Sequence, residues 1–155
     1  MDKRPGPNAR VVGRGRISVL PIWALILLFG VTMLVLGGTA WALIAGVPVT
    51  LVALLGFGTV IHARVWVDGP VLYSRTVFGY RPPIRLDALR DATLTEPSRN
   101  QGPLLLLTAQ DGTVVRLDAT NLRLVRLYAA LGQFIGPFDR VANERLRERV
   151  EKYRY

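Results

Sequence analysis

Cysteine is absent from this 155-residue chain. Its absence excludes a disulfide framework, a thiolate nucleophile and any Cys-ligated metal, and is compatible with a reducing compartment. Histidine occurs once, at His62. With the nearest acid along the chain at Asp68, His62 reads as a residue at a membrane–water boundary rather than as a ligand or general base. Acidic residues are outnumbered, 11 against 20 Lys and Arg, for a formal net charge of +9. Such a surplus favours anionic partners, either lipid headgroups or nucleic acid. The most informative absence is local: residues 17–61 contain no Asp, Glu, Lys or Arg, so every charged side chain lies outside that stretch. One part of the chain must be solvated by lipid and the other by water.

A hydrocarbon core of roughly 30 Å requires about 20 apolar residues in helical form. The uncharged stretch therefore predicts two transmembrane spans, residues 17–36 and 41–61, reversed at Gly37, Gly38 and Thr39. Pro21 falls in the first turn of span one, where its missing N–H costs nothing, and Pro48 predicts a kink in span two. Trp23 and Trp41 lie near span ends, where amphipathic rings prefer the headgroup level. Lys3, Arg4, Arg10, Arg14 and Arg16 precede the spans, the turn between them is uncharged, and Arg64 and Arg75 follow. This places both termini in the cytoplasm, in a multi-pass protein of the cell (inner) membrane. A secretory signal peptide is the competing reading, given the basic start and the Ala40-Trp41-Ala42 triplet. Its apolar region runs to about 15 residues at most, shorter than span one.

Residues 1–16, basic and rich in Pro and Gly, predict a disordered tail. Its five cations serve as topology signals and as attractors for an anionic leaflet. Ala42 and Gly46 form a small-xxx-small pair in span two that packs it on span one; a weak homo-oligomer through the same pair is the competing use.

Beyond residue 62 the pattern changes to short β-rich runs separated by turn residues. Strands are predicted at 64–67, 71–78, 84–86, 91–96, 104–109 and 113–118, with Asp68-Gly69 and Asp111-Gly112 as hairpin turns and a helical turn at 87–90. The four leucines at 104–107 suggest a strand buried on both faces. Thr120 or Asn121 is placed to cap a helix whose stripe is Leu122, Val125, Tyr128, Leu131 and Ile135. After Gly136-Pro137 a charged helix, residues 138–153, is predicted. Arg140 with Glu144, Arg147 with Glu151 and Glu148 with Lys152 support it at spacing four. Its narrow apolar face is Phe138, Val141, Leu146, Val150 and Tyr153.

These elements resemble bacterial pleckstrin-homology-like (PH-like) domains, which occur in small membrane proteins behind a transmembrane hairpin. The resemblance covers residues 62–135. It is carried by Val65-Trp66-Val67-Asp68-Gly69, by Val77-Phe78-Gly79 leading to Ile84-Arg85-Leu86-Asp87-Ala88-Leu89, by the Asp111-Gly112 hairpin and by the helix from Asn121. It implies an α+β domain of two antiparallel sheets packed nearly at right angles and capped by a helix, and no catalytic residue set. Six strands are predicted where such domains usually have seven. The seventh is expected at the end of span two or after Glu96. Residues 136–155 lie outside the resemblance.

No catalytic, cofactor or metal residues are expected. The pairs Gly13/Gly15 and Gly56/Gly58 lack the strand-to-helix setting and the lysine of a phosphate loop. Asp87, Asp91 and Glu96 are spread over a turn and a strand, which suits a solvated face better than a shared pocket. Nucleic-acid binding lacks basic residues interleaved with stacking aromatics, since Trp66, Tyr73, Phe78 and Tyr80 have few cations around them.

The expected function is that of a membrane-anchored, non-enzymatic binding module engaging another membrane or envelope protein at the cytoplasmic face, where confinement to the bilayer raises effective concentration. The alternative is sensing of anionic lipid headgroups through Arg75, Arg81 and Arg85 around the Gly79 turn. An accessory subunit of a transporter or enzyme is a third reading, disfavoured because the spans lack ionisable residues to line a pathway.

Overall fold

The computed structural model describes residues 4–97, 102–136 and 141–154. Its helices begin with an apolar hairpin. A short 3-10 turn, Ile17–Val19, leads into α1 (Leu20–Leu36), and α2 spans Ala40–His62. Both Ile17–Leu36 and Ala40–His62 are long and apolar enough to cross a membrane. Pro21 lies in the first turn of α1 and Pro48 inside α2. The reversal uses Gly38 at φ +54°, where a Cβ would be penalised. Thr39 then caps α2, its Oγ1 accepting from the Ala42 N–H at 3.3 Å. The helices meet through small residues: Ala42 and Gly46 are buried, and a Cβ on Gly46 would come within 2.9 Å of Leu34. Trp23, near the start of α1, fills the space left by Gly56, so its ring packs against α2.

The two sheets are antiparallel. The larger contains β1 (Arg10–Gly15), β2 (Arg64–Asp68), β3 (Val71–Thr76), β4 (Gly79–Tyr80), β5 (Ile84–Arg85) and β9 (Leu122–Arg123). Its order is β4-β3-β2-β1-β9, with β5 also paired to β3. Pro82 and Pro83, which have no N–H to give, separate β4 from β5. The smaller sheet is β6 (Leu89–Leu94), β7 (Leu104–Ala109) and β8 (Val114–Asp118), in that order. Gly69 at φ +54° and Gly112 at φ +83° stand in the two predicted hairpin turns.

The expected disordered tail is overturned for residues 10–15. β1 pairs with β2 on one side and β9 on the other, and Val12 is only 8% exposed. Composition points to disorder because Arg10, Gly13, Arg14 and Gly15 offer little to bury. The gap between β2 and β9 supplies hydrogen-bond partners on both edges, which composition does not register. A strand outside the six predicted thus lies before the apolar hairpin, at neither place where a seventh was expected. The hairpin is an insertion between two neighbouring strands, and the folded domain begins near residue 10 instead of 62. At the junction a Cβ on Gly15 would stand 1.8 Å from the Val60 carbonyl oxygen, so β1 leaves the sheet in direct contact with the last turns of α2.

The helix expected from Asn121 starts later, as α3 (Val125–Leu131). Asp118 accepts from the N–H groups of Thr120 and Asn121, the Asn121 carbonyl accepts from Arg16, and Leu122–Arg123 is drawn onto the edge of β1. Leu122, Tyr128, Leu131 and Ile135 are buried as predicted, whereas Val125 faces outwards. In β7, Leu105 and Leu107 are fully buried while Leu104 and Leu106 are half-covered, which replaces the expected burial on both faces.

The C-terminal helix is shorter than predicted: α4 is Glu144–Lys152, and Phe138 and Arg140 lie outside the described residues. It belongs to the domain, because Leu146 and Val150 join the core cluster. Asn143 fastens it. Its side-chain oxygen accepts from Leu146 N–H and Leu94 N–H, both at 3.1 Å, while its amide donates to the Leu94 carbonyl at 3.0 Å. Ala142 adds a parallel bridge to Ala92. Arg145 pairs with Glu96.

Candidate functional site at the hairpin junction

The β3–β4 turn is built by Val77 and Phe78 between Thr76 and Gly79, which sits at φ +110°. Thr76 Oγ1 accepts from the Phe78 N–H at 3.3 Å and steadies the turn. Val77 lies against Gly58 of α2, so the tip is level with the last turns of the apolar helix. Phe78, beside it, is 87% exposed. An aromatic ring left out of the core at this level is the first unusual feature of the junction.

Behind the tip is a cavity of about 200 Å³, bounded by Thr59 and Ala63 of α2, by Val77 and Phe78, and by Ser74, Arg75, Arg81 and Arg116. Ser74 is 2% exposed, and its hydroxyl has no hydrogen-bond partner among the described residues. Ser74 therefore gives this wall of the cavity a polar group. Arg81 donates from Nη1 to the Arg116 carbonyl at 3.4 Å, and its backbone N–H donates to the Ser74 carbonyl at 2.9 Å. The Arg75 guanidinium stands 5.5 Å from the Tyr80 ring centre, a cation–π contact that leaves its charge uncompensated.

Of the three arginines expected to act together, the structure brings two to this cavity. Arg85 is elsewhere: it lies opposite Val71, at the other end of β3 from Arg75, roughly 13 Å along the strand. It also makes a two-pronged pair with Asp87, Nη2 to Oδ2 at 2.6 Å and Nε to Oδ1 at 3.0 Å. The hydrogen bond from Arg85 holds the Asp87 carboxyl below its ordinary range, and the same pair raises Arg85. Arg85 therefore already has a carboxylate partner. Arg116 and Ser74 were missed by the sequence reading, because only the fold brings β8 and β3 to one cavity. Ser74 carried a weak signal, a serine two residues from the buried Leu72 and so on the same inward face of β3.

The other singled-out residues are dispersed. His62 is exposed at the end of α2. Asp91 accepts from the Thr93 hydroxyl at 3.1 Å and Glu96 pairs with Arg145, so Asp87, Asp91 and Glu96 have separate partners. No group of three metal-ligating side chains occurs among the described residues. Among the tail cations, Lys3 lies outside the described residues, Arg4 stands before the first strand, Arg10 and Arg14 are on β1, and Arg16 donates its backbone N–H to Asn121. Comparison with family models, with curated proteins and with solved structures gives no match to the chain.

Proposed function

We propose that the chain is a membrane protein with both termini cytoplasmic, whose PH-like domain is a non-enzymatic binding module working in the headgroup layer, with anionic lipid as its ligand. The observation that carries this reading is the junction itself. An exposed aromatic tip, Phe78, is level with the end of an apolar helix, and a cationic rim of Arg75 and Arg81 lies directly behind it. Amphipathic surfaces that engage bilayers combine an apolar group at the acyl boundary with cations at phosphate depth. The PH-like assignment is supported by two antiparallel sheets, one of five strands when β4 and β5 are counted as one interrupted strand and one of three, with helices closing the core. The cytoplasmic orientation is supported by the arginines that flank both ends of the hairpin, Arg16 and Arg64.

A second reading, engagement of another membrane protein, is supported by β8. It is an outer strand of the smaller sheet with Val114 exposed, and strands of this kind accept a partner's strand. One experiment separates the two. A photo-crosslinking residue at position 78 of the full-length chain, activated in intact membranes, will yield lipid adducts enriched in anionic species. Adducts to a single protein, with lipid adducts absent, favour the partner reading and reject headgroup binding at this site.

A further inference from the structure

Strand register decides which side chains share a row. Arg14 of β1 lies opposite Arg64 of β2 on one side and opposite Arg123 of β9 on the other, and Arg64 in turn lies opposite Arg75 of β3. Directly opposed residues project from the same face of a sheet. Four arginines therefore stand in one line across four adjacent strands, about 4.8 Å from strand to strand and roughly 14 Å from end to end. All four are exposed, and none is in an ion pair with a carboxylate among the described residues. Like charges placed directly opposite one another destabilise a sheet. An anion bound along the row relieves that repulsion.

The position of the row limits which anion that is. Gly15 and Arg16 carry the chain from Arg14 into the turn before α1, and α2 ends at His62, two residues before Arg64. The row thus crosses the end of the sheet from which both apolar helices leave. Its Arg14–Arg123 end opens into a groove of about 660 Å³ lined also by Arg16, Ile17 and Ser18, where the cations meet the first exposed apolar residue of the hairpin. A ligand that meets both surfaces has a negative head and an apolar body.

We propose that the row Arg123–Arg14–Arg64–Arg75 is a binding site for the phosphates of anionic phospholipids, and that these lipids complete the sheet electrostatically. The row is separate from the Arg81–Arg116 side of the cavity, with Arg75 common to both. The proposal rests on the membrane reading above. It makes stability of the domain depend on leaflet composition, with Arg64 and Arg14, each flanked by arginines on both sides, as the most sensitive positions.

The test uses the full-length protein in nanodiscs of phosphatidylcholine, with and without phosphatidylglycerol, and reads amide hydrogen exchange in β2 and β9. Each juxtamembrane cation contributes roughly fivefold near an anionic surface. The parent will therefore gain on the order of a hundredfold protection from phosphatidylglycerol relative to a variant carrying Arg14→Gln, Arg64→Gln and Arg123→Gln. In phosphatidylcholine alone the order reverses, because that variant has lost the repulsion and is the better protected. Arg64→Lys will retain the gain, and Arg90→Gln, on the smaller sheet, will not change it. Equal protection of the parent in both discs, or a gain retained by the triple variant, overturns the proposal. So does equal protection in phosphatidylcholine discs on adding inorganic phosphate or a short oligonucleotide, which reassigns the row to a soluble anion. Each of these results is read on protein still in the disc. Recovery of the chain without lipid or detergent rejects the membrane reading itself.

Discussion

Removing β1 while keeping everything after the apolar hairpin will abolish the domain. A chain beginning at His62 loses Val12, whose burial is worth about 1.5–3 kcal/mol, and uncovers Val65, Leu122 and Leu124, at about 1 kcal/mol each for half their burial. β1 is paired at four positions with β2 and at two with β9. Taking roughly one ladder hydrogen bond per position, at about 0.5–1.5 kcal/mol net, adds about 3–9 kcal/mol. The loss is of the same size as the whole stability of a domain this long, about 5–15 kcal/mol. The complementary chain deletes the hairpin instead. Because Arg14 and Arg64 are directly opposed, joining them through Asn-Gly makes a two-residue turn of the type that suits antiparallel strands. The joined chain is expected to be soluble and to unfold in one cooperative transition in urea, followed by near-ultraviolet circular dichroism. The chain from His62 will show no such transition. Cooperative unfolding of both at the same midpoint would refute the reasoning, since β1 would then contribute nothing.

Further outcomes follow from single contacts. Gly15→Ala forces a Cβ into the Val60 carbonyl, backbone against backbone, and will cost at least the 1–3 kcal/mol typical of overpacking, measured as a lower midpoint of thermal unfolding in detergent. Asn143→Ala removes the cap of α4 and both bonds to Leu94, and will destabilise by about 2–3 kcal/mol, whereas Phe78→Ser, at an exposed tip, will stay within about 0.5 kcal/mol. The pH dependence of the Asp111 turn has a defined sign. The Thr113 N–H, donating at 2.8 Å, holds the Asp111 carboxyl below its ordinary value of 3.8. Its stabilising effect is therefore full above that pH and is lost as pH falls through the depressed folded value. The stability difference between the parent and Asp111→Ala will accordingly be constant at neutral pH and shrink only in strong acid. A difference that shrinks near pH 6 would contradict this assignment.

Where the sequence was legible, the controlling quantity was local. The apolar helices were placed within a residue or two, because an uncharged run and a bilayer thickness are both lengths counted along the chain. The hairpins at Asp68-Gly69 and Asp111-Gly112 were equally readable, since a positive φ must be taken by a glycine at a fixed offset. β1 was not readable. Three arginines or glycines in succession at Gly13, Arg14 and Gly15 look like a solvated tail, and their partner strand begins nearly fifty residues further on. The start of α3 was misplaced for a related reason. Leu122 fits the inward helical stripe and also, with Leu124, a strand-like alternation, and the free edge of β1 decided between them. At the junction, Arg75 and Arg81 of the expected trio line one cavity, whereas Arg85 was grouped with them because the turn was read as one cluster, and its pairing with Asp87 is an interaction of folded side chains.

By itself the sequence determined that an uncharged stretch long enough for two bilayer-length helices precedes a basic, strand-rich region, because transfer from water to an apolar phase sums over residues whatever their partners. Only the tertiary structure decided that Arg14, Arg64, Arg75 and Arg123 form a row. Their alignment depends on the register between strands separated by the whole apolar hairpin, and register is fixed by long-range pairing across the core, which no local pattern specifies.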